Sequence, residues 1–255
     1  MVAVLRVRKN LTQRQLAELV NLDEQSIASI EQGRRPLMPD VAALMDTVLD
    51  SGGVFSAAVA EMPRVDMIPA WAEEYLACER EAITTSSYQN QVMPGLLQTD
   101  AYAEAVFRNR VPHLPEETIT KQTAIRAARR EIFHKEPPVA LSFIIWEPVL
   151  SMELGGPEVH RAQLEHLIAC SELPGVCLQI YPLGHMEHPA LDGPFVLLET
   201  PEHQRLAYME TQRGSQLISD PNEVSILERK YAMLRTLALN PQETRAVLDR
   251  LLGEQ

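Results

Sequence analysis

Gln25, Ser26, Ser29 and Gln32 are neutral hydrogen-bonding side chains placed around the apolar pair Ile27 and Ile30. With the two isoleucines turned inward, amide and hydroxyl heads on the opposite face could meet base edges in the major groove without bringing charge. Gln25, Ser26 and Ser29 are the expected base readers. Gln13 and Arg14 upstream and Arg34 and Arg35 downstream are groups of the type that hold phosphate oxygens and fix register on a duplex.

The elements that must position them lie in the stretch Thr12 to Gly33. Thr12 caps a first short helix, and Gln15, three residues on, completes a capping box. Leu16, Ala17 and Val20 form its apolar face. Asn21 tolerates the left-handed backbone of a tight turn, Leu22 fills that turn, and Asp23 caps the helix that Gly33 ends. Two helices joined in this way predict a helix-turn-helix; the alternative is an αα-hairpin with no DNA role. A helix from about Val2 to Lys9 precedes the pair, with Val2 and Leu5 inward. It starts almost at Met1, so either this helix is trimmed or native residues lie upstream. Asp40 is expected to cap a fourth helix with Val41, Leu44, Met45 and Val48 inward, ended by Gly52-Gly53. Val54 to Glu61 supplies a fifth.

LTQRQLAELV (11–20), IEQGRR (30–35) and the leucine-bearing helix after Pro39-Asp40 resemble the Xre/phage-repressor family of regulators. The resemblance implies that the helix ending at Gly33 reads bases, and that Gln13 supports that helix and touches phosphate. Asn21 stands where glycine is usual, and Glu24 follows Asp23 where many relatives have Ser and Arg. Two acids suit the positive end of a helix but repel phosphate, so affinity per monomer is expected to be modest.

Charge points the same way. The 255 residues carry a formal net charge of −12, which opposes non-specific DNA binding. Residues 1–53 hold six basic and seven acidic groups, so nearly all the excess acidity lies beyond them. A near-neutral reading domain makes few phosphate contacts, and a homodimer on a repeated or palindromic site is expected. The 45 % hydrophobic and 23 % charged content is that of a globular protein. No apolar run is long enough for a membrane span, MVAVLRVRKN is too short and charged for a secretory signal, and a cytoplasmic location follows as an expectation. Cys78, Cys170 and Cys177 lack a CxxC pair and read as reduced structural thiols.

After a connector at 62–70, residues 71–255 alternate helix and strand patterns. WAEEYLACEREA is a helix with Trp71, Tyr75 and Cys78 on one face, and ITTSSYQNQV is a strand. Thr99 caps a helix, and 115–132 form another. VALSFIIWE is a buried strand, GGPEVHRAQLEHLIACS a helix with Val159, Leu164, Leu167 and Ile168 inward, and VCLQIYPLG a further strand. GPFVLLE and RLAYMET pair antiparallel. Asp220 caps a helix from Pro221 to Ala238, and Pro241 starts a last one. The expected fold class is an N-terminal all-α, phage-repressor-like helix-turn-helix domain of five helices (1–61) plus a C-terminal mixed α/β domain (71–255).

The order MPGLLQTDAYAEAVF, FIIWEPVLSMELGGPEVHRAQLEHL, VCLQIYPLGHMEHPALDGPFVLLE, AYMET and SDPNEV…LRTLALNPQET resembles the C-terminal domain of WhiJ-like, antitoxin-like Xre regulators of actinobacteria. Trp146 before Glu147 and Met93 are local departures. The resemblance implies a transcriptional regulator with no established catalysis in that domain, and a short partner protein encoded nearby that modulates it.

Other groups carry chemistry-bearing side chains. His185, Glu187, His188 and Asp192 fall within eight residues and could ligate a divalent metal, but they follow a strand without a third ligand at known spacing; a polar loop is the expected reading. His160 and His166 are expected at the surface or as cap residues, and Glu147 at a solvated strand end. Arg126, Arg129 and Arg130 could bind phosphate or an acidic partner, against a solvated helix face paired with Glu131. PGLLQT (94–99) reads as a turn and helix cap. No Walker loop, GxGxxG or nucleophile elbow is present. No cofactor is expected, and double-stranded DNA is the expected partner. The competing class is a hydrolytic or nucleotide-modifying enzyme with an appended helix-turn-helix, which lacks a linked nucleophile–base pair.

Overall fold

A computed structural model describes residues 1–31, 37–60, 70–211 and 214–253. The chain divides into two compact units, Met1–Met67 and Ile68–Gln255.

Among the described residues the first unit has five helices: α1 Val2–Arg8, α2 Gln13–Leu19, α3 Glu24–Glu31, α4 Pro39–Leu49 and α5 Val54–Ala60. Thr12 closes the expected capping box, its side chain accepting from the Gln15 amide while Gln15 Oε1 accepts from the Thr12 amide. Asn21 takes the left-handed turn conformation at φ 56°. Asp23 Oδ1 accepts from the Ser26 amide at 2.7 Å, which starts α3. Leu16, Ala17, Val20, Ile27, Met45, Leu49 and Phe55 fill one core, with Leu5, Leu22, Ile30 and Val48 packed around it.

Three expectations for α4 fail. Pro39 occupies its first turn, so Met38 is the N-cap and Asp40 lies inside the helix. Leu44 is 40 % exposed, because the inward stripe runs through Val41, Ala42, Met45 and Leu49 instead. The helix also ends earlier than Gly52, with Asp50 itself in the left-handed conformation. Asp46, near the end of α4, starts the next helix: it accepts from the amides of Phe55 at 2.9 Å and Ser56 at 2.8 Å and from the Ser51 hydroxyl.

The second unit opens with α6 Ala70–Glu81 and is built on a six-stranded sheet in the order β3-β2-β1-β4-β5-β6. The strands are β1 Thr84–Gln89, β2 Ala140–Trp146, β3 Val176–Tyr181, β4 Phe195–Glu199, β5 Arg205–Thr211 and β6 Gly214–Ile218. β1, β2 and β3 are parallel, so their connections must cross over through helices. α7 Asp100–Arg108 and α8 Glu116–Ala128 lie between β1 and β2, and α9 Pro157–Ser171 lies between β2 and β3. β4, β5 and β6 follow as an antiparallel meander. α10 Pro221–Leu237 packs against β3, β4 and β5, and α11 Pro241–Gly253 against β3 and α9. β6 went unread in the sequence because GSQLI offers only two apolar residues.

The core of this unit is interrupted at β1. Leu141, Phe143 and Ile145 of β2 bury one face against Leu164 and Leu167 of α9. Val196 and Leu198 of β4 bury the same face against Tyr75 of α6 and Tyr208 of β5. Between them the register puts Thr85 beside Leu141 and Leu198, and Ser87 beside Phe143 and Val196. A stripe of short hydroxyl side chains therefore separates two apolar clusters in the middle of the sheet. α9 also departs from expectation: Gln163 and His160 are buried, whereas Val159 and Ile168 are only partly so.

The hydrogen bonds to Asp46 outweigh its desolvation and hold the carboxyl down from its ordinary 3.8 to about 2. Its contribution to stability is present above about pH 4 and disappears as the pH falls through about 2. Asp46→Asn, a neutral isostere, is expected to lower the melting temperature of the helical unit near neutral pH. Circular dichroism melts should show the gap between variant and parent closing in acid; a gap independent of pH would contradict this account.

Candidate functional site

In the first unit α3 presents a mixed surface. Ile27 is fully buried and Ile30 packs on the core, which leaves Gln25 exposed and Ala28 and Ser29 half-buried. Ser26 does not join them. It is 6 % exposed, and its hydroxyl donates to Asp23 Oδ2 at 2.8 Å. It lies three residues after the cap and four before Ile30, so it shares the cap and the inner edge of the helix. The expectation that Ser26 faces outward is corrected: its amide and hydroxyl both donate to the Asp23 carboxylate, which takes its side chain into the cap.

Gln13 is half-buried, and its amide nitrogen donates to Glu31 Oε2 at 2.7 Å. Glu31 also receives a two-pronged contact from Arg6, Nε to Oε1 at 2.6 Å and Nη2 to Oε2 at 3.1 Å, while Arg6 Nη1 donates to the Leu11 carbonyl at 2.8 Å. One cluster thus ties α1, the start of α2 and the end of α3. The Arg6 side chain holds the Glu31 carboxyl below its ordinary range against the cost of burial. Arg6 and Glu31 were missed in the sequence, although Glu31 falls four residues after Ile27, on the inward stripe, where an unpaired charge would be costly. Arg14 is exposed and lies 3.3 Å from Glu18. Gln32, Arg34 and Arg35 lie outside the described residues.

In the second unit the side chains of His185, Glu187, His188 and Asp192 do not converge. His188 turns inward, its Nδ1 accepting from the Ala190 amide at 3.2 Å and its Nε2 lying 2.8 Å from Tyr88 Oη. Its ring packs among Tyr88, Trp146 and Tyr181, and burial lowers its pKa. Asp192 pairs with Lys230, and the Glu187 carbonyl accepts from Tyr181. Among the described residues no three His, Cys, Asp or Glu side chains are grouped to hold a metal ion. His160 is buried rather than superficial, with Nε2 2.8 Å from the Leu150 carbonyl. Glu147 accepts from the Leu183 amide at 2.8 Å and so fastens the chain leaving β3.

The arginine trio is not a solvated face paired with Glu131. Arg129 makes a two-pronged contact with Glu79 of α6, Nε to Oε1 at 2.7 Å and Nη2 to Oε2 at 2.8 Å. Glu79 is 3 % exposed and takes a further bond from Tyr75 Oη at 2.6 Å. Arg126 donates to Gln98 Oε1 at 2.8 Å and lies over the Phe107 ring, 4.5 Å from its centroid. Arg130 donates to the Gln98 carbonyl at 2.8 Å and to Asp100 at 2.7 Å. Arg126 and Arg130 therefore both hold the PGLLQT turn at Gln98, while Arg129 ties the same region to α6. Gly95 lies close against Arg129, and a Cβ there would sit 3.1 Å from Arg129 Nη1, so that the guanidinium would have to give by a few tenths of an ångström. Thr99 caps α7 as expected, accepting from the Tyr102 amide at 3.2 Å, and Gln163 holds the turn from the other side through the Leu97 carbonyl and the Thr99 amide.

Cys78, Cys170 and Cys177 are free thiols. Among the described residues no helix is long and apolar enough to cross a membrane.

Comparison with known proteins agrees with the two-part architecture. Residues 2–53 match a helix-turn-helix domain. Residues 72–250 match a domain of unknown function, DUF5753. No curated protein matches the chain, and no solved structure does. The second match spans well over half of the sequence, and the chain therefore belongs to the DUF5753 family, with a helix-turn-helix domain preceding the domain that defines it.

Proposed function

We propose that the chain is a sequence-specific, DNA-binding transcriptional regulator of the Xre type. Its second domain sets DNA affinity by binding a small molecule or a small protein encoded nearby, as in the antitoxin-like regulators that it resembles. The observation that carries this reading is α3: a helix capped by Asp23 and anchored at its far end by Arg6 and Gln13 through Glu31, with Gln25 exposed on its free face.

In this reading Gln25 and Ser29 contact base edges, and Ala28 between them offers a methyl group to thymine. Ser26 positions the helix start instead of reading. Gln13 acts mainly as the buttress of α3, and Arg14, Arg34 and Arg35 hold phosphates. The acidity that opposes DNA is partly spent inside the unit, since Asp23, Glu31 and Asp46 accept internal hydrogen bonds and Glu18 and Asp50 pair with Arg14 and Lys9. Few phosphate contacts remain per monomer, so a homodimer on half-sites about one turn (~34 Å) apart is part of the proposal.

Selection of bound sequences from a random pool, followed by titration of variants, tests the assignment. Gln25→Ala should cost ~1–3 kcal/mol at one base pair and relax the choice there. Arg34→Ala should weaken all sequences alike and reduce the salt slope by about 1. Uniform loss in both variants would overturn the reader assignment.

The buttress is separately measurable. Arg6→Ala leaves Glu31 short of its cation and should destabilise the unit by about 1–3 kcal/mol in denaturant titration. Glu31→Gln, which keeps an acceptor for Arg6 and Gln13 and removes only the charge, should cost less; no loss in either variant would show that the cluster does not hold α3.

A further inference from the structure

The stripe of hydroxyls on β1 forms the floor of a cavity of about 120 Å³ within the second unit. Thr85 and Ser87 lie at its base, Tyr75 and Glu79 of α6 on one side, and Gln98 of the PGLLQT turn with Arg126 on another. Two features of the lining are unsatisfied. The Thr85 hydroxyl is buried, the residue being 1 % exposed, and has no hydrogen-bond partner. Among the described residues Arg126 has no carboxylate within 4 Å, although its neighbours Arg129 and Arg130 both do. Burial first, and then the positive charge of Arg129, lower the Arg126 pKa to about 10. Glu210 and Glu79 offset this only in part from a distance, and a guanidinium that leaves water with no carboxylate in contact is costly, as is a buried hydroxyl without a partner.

We propose that this cavity binds a small monocarboxylate, received by the Arg126 guanidinium and the Thr85 hydroxyl. A planar carboxylate matches the guanidinium fork, and Phe107 and Gln98 already hold that fork from its other sides. A single negative charge suits the site. Arg129 is neutralised by Glu79, whose two oxygens are both occupied, and Glu210 adds a second carboxylate to the lining. A phosphate dianion would face those two carboxylates with one uncommitted cation. The volume corresponds to on the order of four water molecules, which limits the ligand to a short chain.

The site deepens the sensing half of the function proposed above. It is tested without DNA, so failure here leaves the DNA reading untouched, and failure of that reading leaves this one untouched. Thermal melts of the full chain in sodium acetate, propionate or lactate are compared with sodium chloride and inorganic phosphate at equal ionic strength. The carboxylates should raise the melting temperature by a few degrees in the parent and in Arg130→Gln, which lies outside the cavity lining. Phosphate should do less. Arg126→Gln should lose the shift, and Thr85→Val should lose most of it while keeping the residue's shape, so that one folded variant suffices. No response of the parent to any of the three carboxylates would overturn the proposal. So would a response to phosphate as large, or a shift that persists in the folded variants, which would mark a general solvent effect.

Discussion

A guanidinium leaves water only where fixed acceptors replace its hydration, and Arg129 imposes that demand at the centre of the second unit. Glu79 meets it from α6 with both oxygens, and Tyr75 completes the carboxylate's shell. Removing one partner of such a buried pair typically costs about 3–5 kcal/mol, so this contact fixes where α6 lies against the end of α8. The constraint spreads further. The PGLLQT turn passes close to Arg129 at Gly95, where a side chain would press on the guanidinium, and then offers Gln98 to both Arg126 and Arg130. One ion pair thereby aligns α6, the turn, the start of α7 and the end of α8 over the middle of the sheet.

That alignment explains the divided core. Thr85 and Ser87 cannot fill the depth that Leu141, Phe143, Val196 and Leu198 fill on either side. Larger apolar residues on β1 would join the two clusters and add burial at about 25 cal/mol per Å². Short hydroxyls there leave a polar gap instead, at a point where a central strand is ordinarily apolar. The buried arginines and the gap belong to one arrangement, since the guanidinium groups border the space that β1 leaves open.

The first unit applies the same rule on a smaller scale. Three of its acids serve caps and pairs: Asp23 on α3, Asp46 on α5 and Glu31 between three helices. Beyond the exposed Glu24 of its first turn, what α3 leaves outward is neutral, with Gln25 exposed and Ser29 half-buried. Specificity by neutral hydrogen bonds together with few phosphate contacts is consistent with a reading head that relies on a second copy or a bound partner for affinity.

The sequence by itself determined what depends on local periodicity and capping. Thr12 with Gln15, Asn21, Asp23, Thr99 and Asp220 announce helix starts and turns, because their hydrogen bonds reach only two or three residues along the chain. The alternation of LLE and RLAYM patterns likewise showed the β4–β5 pair, and the fold class followed. Tertiary structure alone decided which polar residues turn inward. Arg129 meets a carboxylate 50 positions away, Arg6 one 25 positions away, and Gln163 meets the PGLLQT turn 64 to 66 positions away. No local pattern distinguishes such residues from a solvated charge. The arginine trio departs from the expected solvated face for that reason, since only the folded chain brings its partners together, whereas the Ser26 contact with Asp23 is a local cap within reach of the sequence pattern.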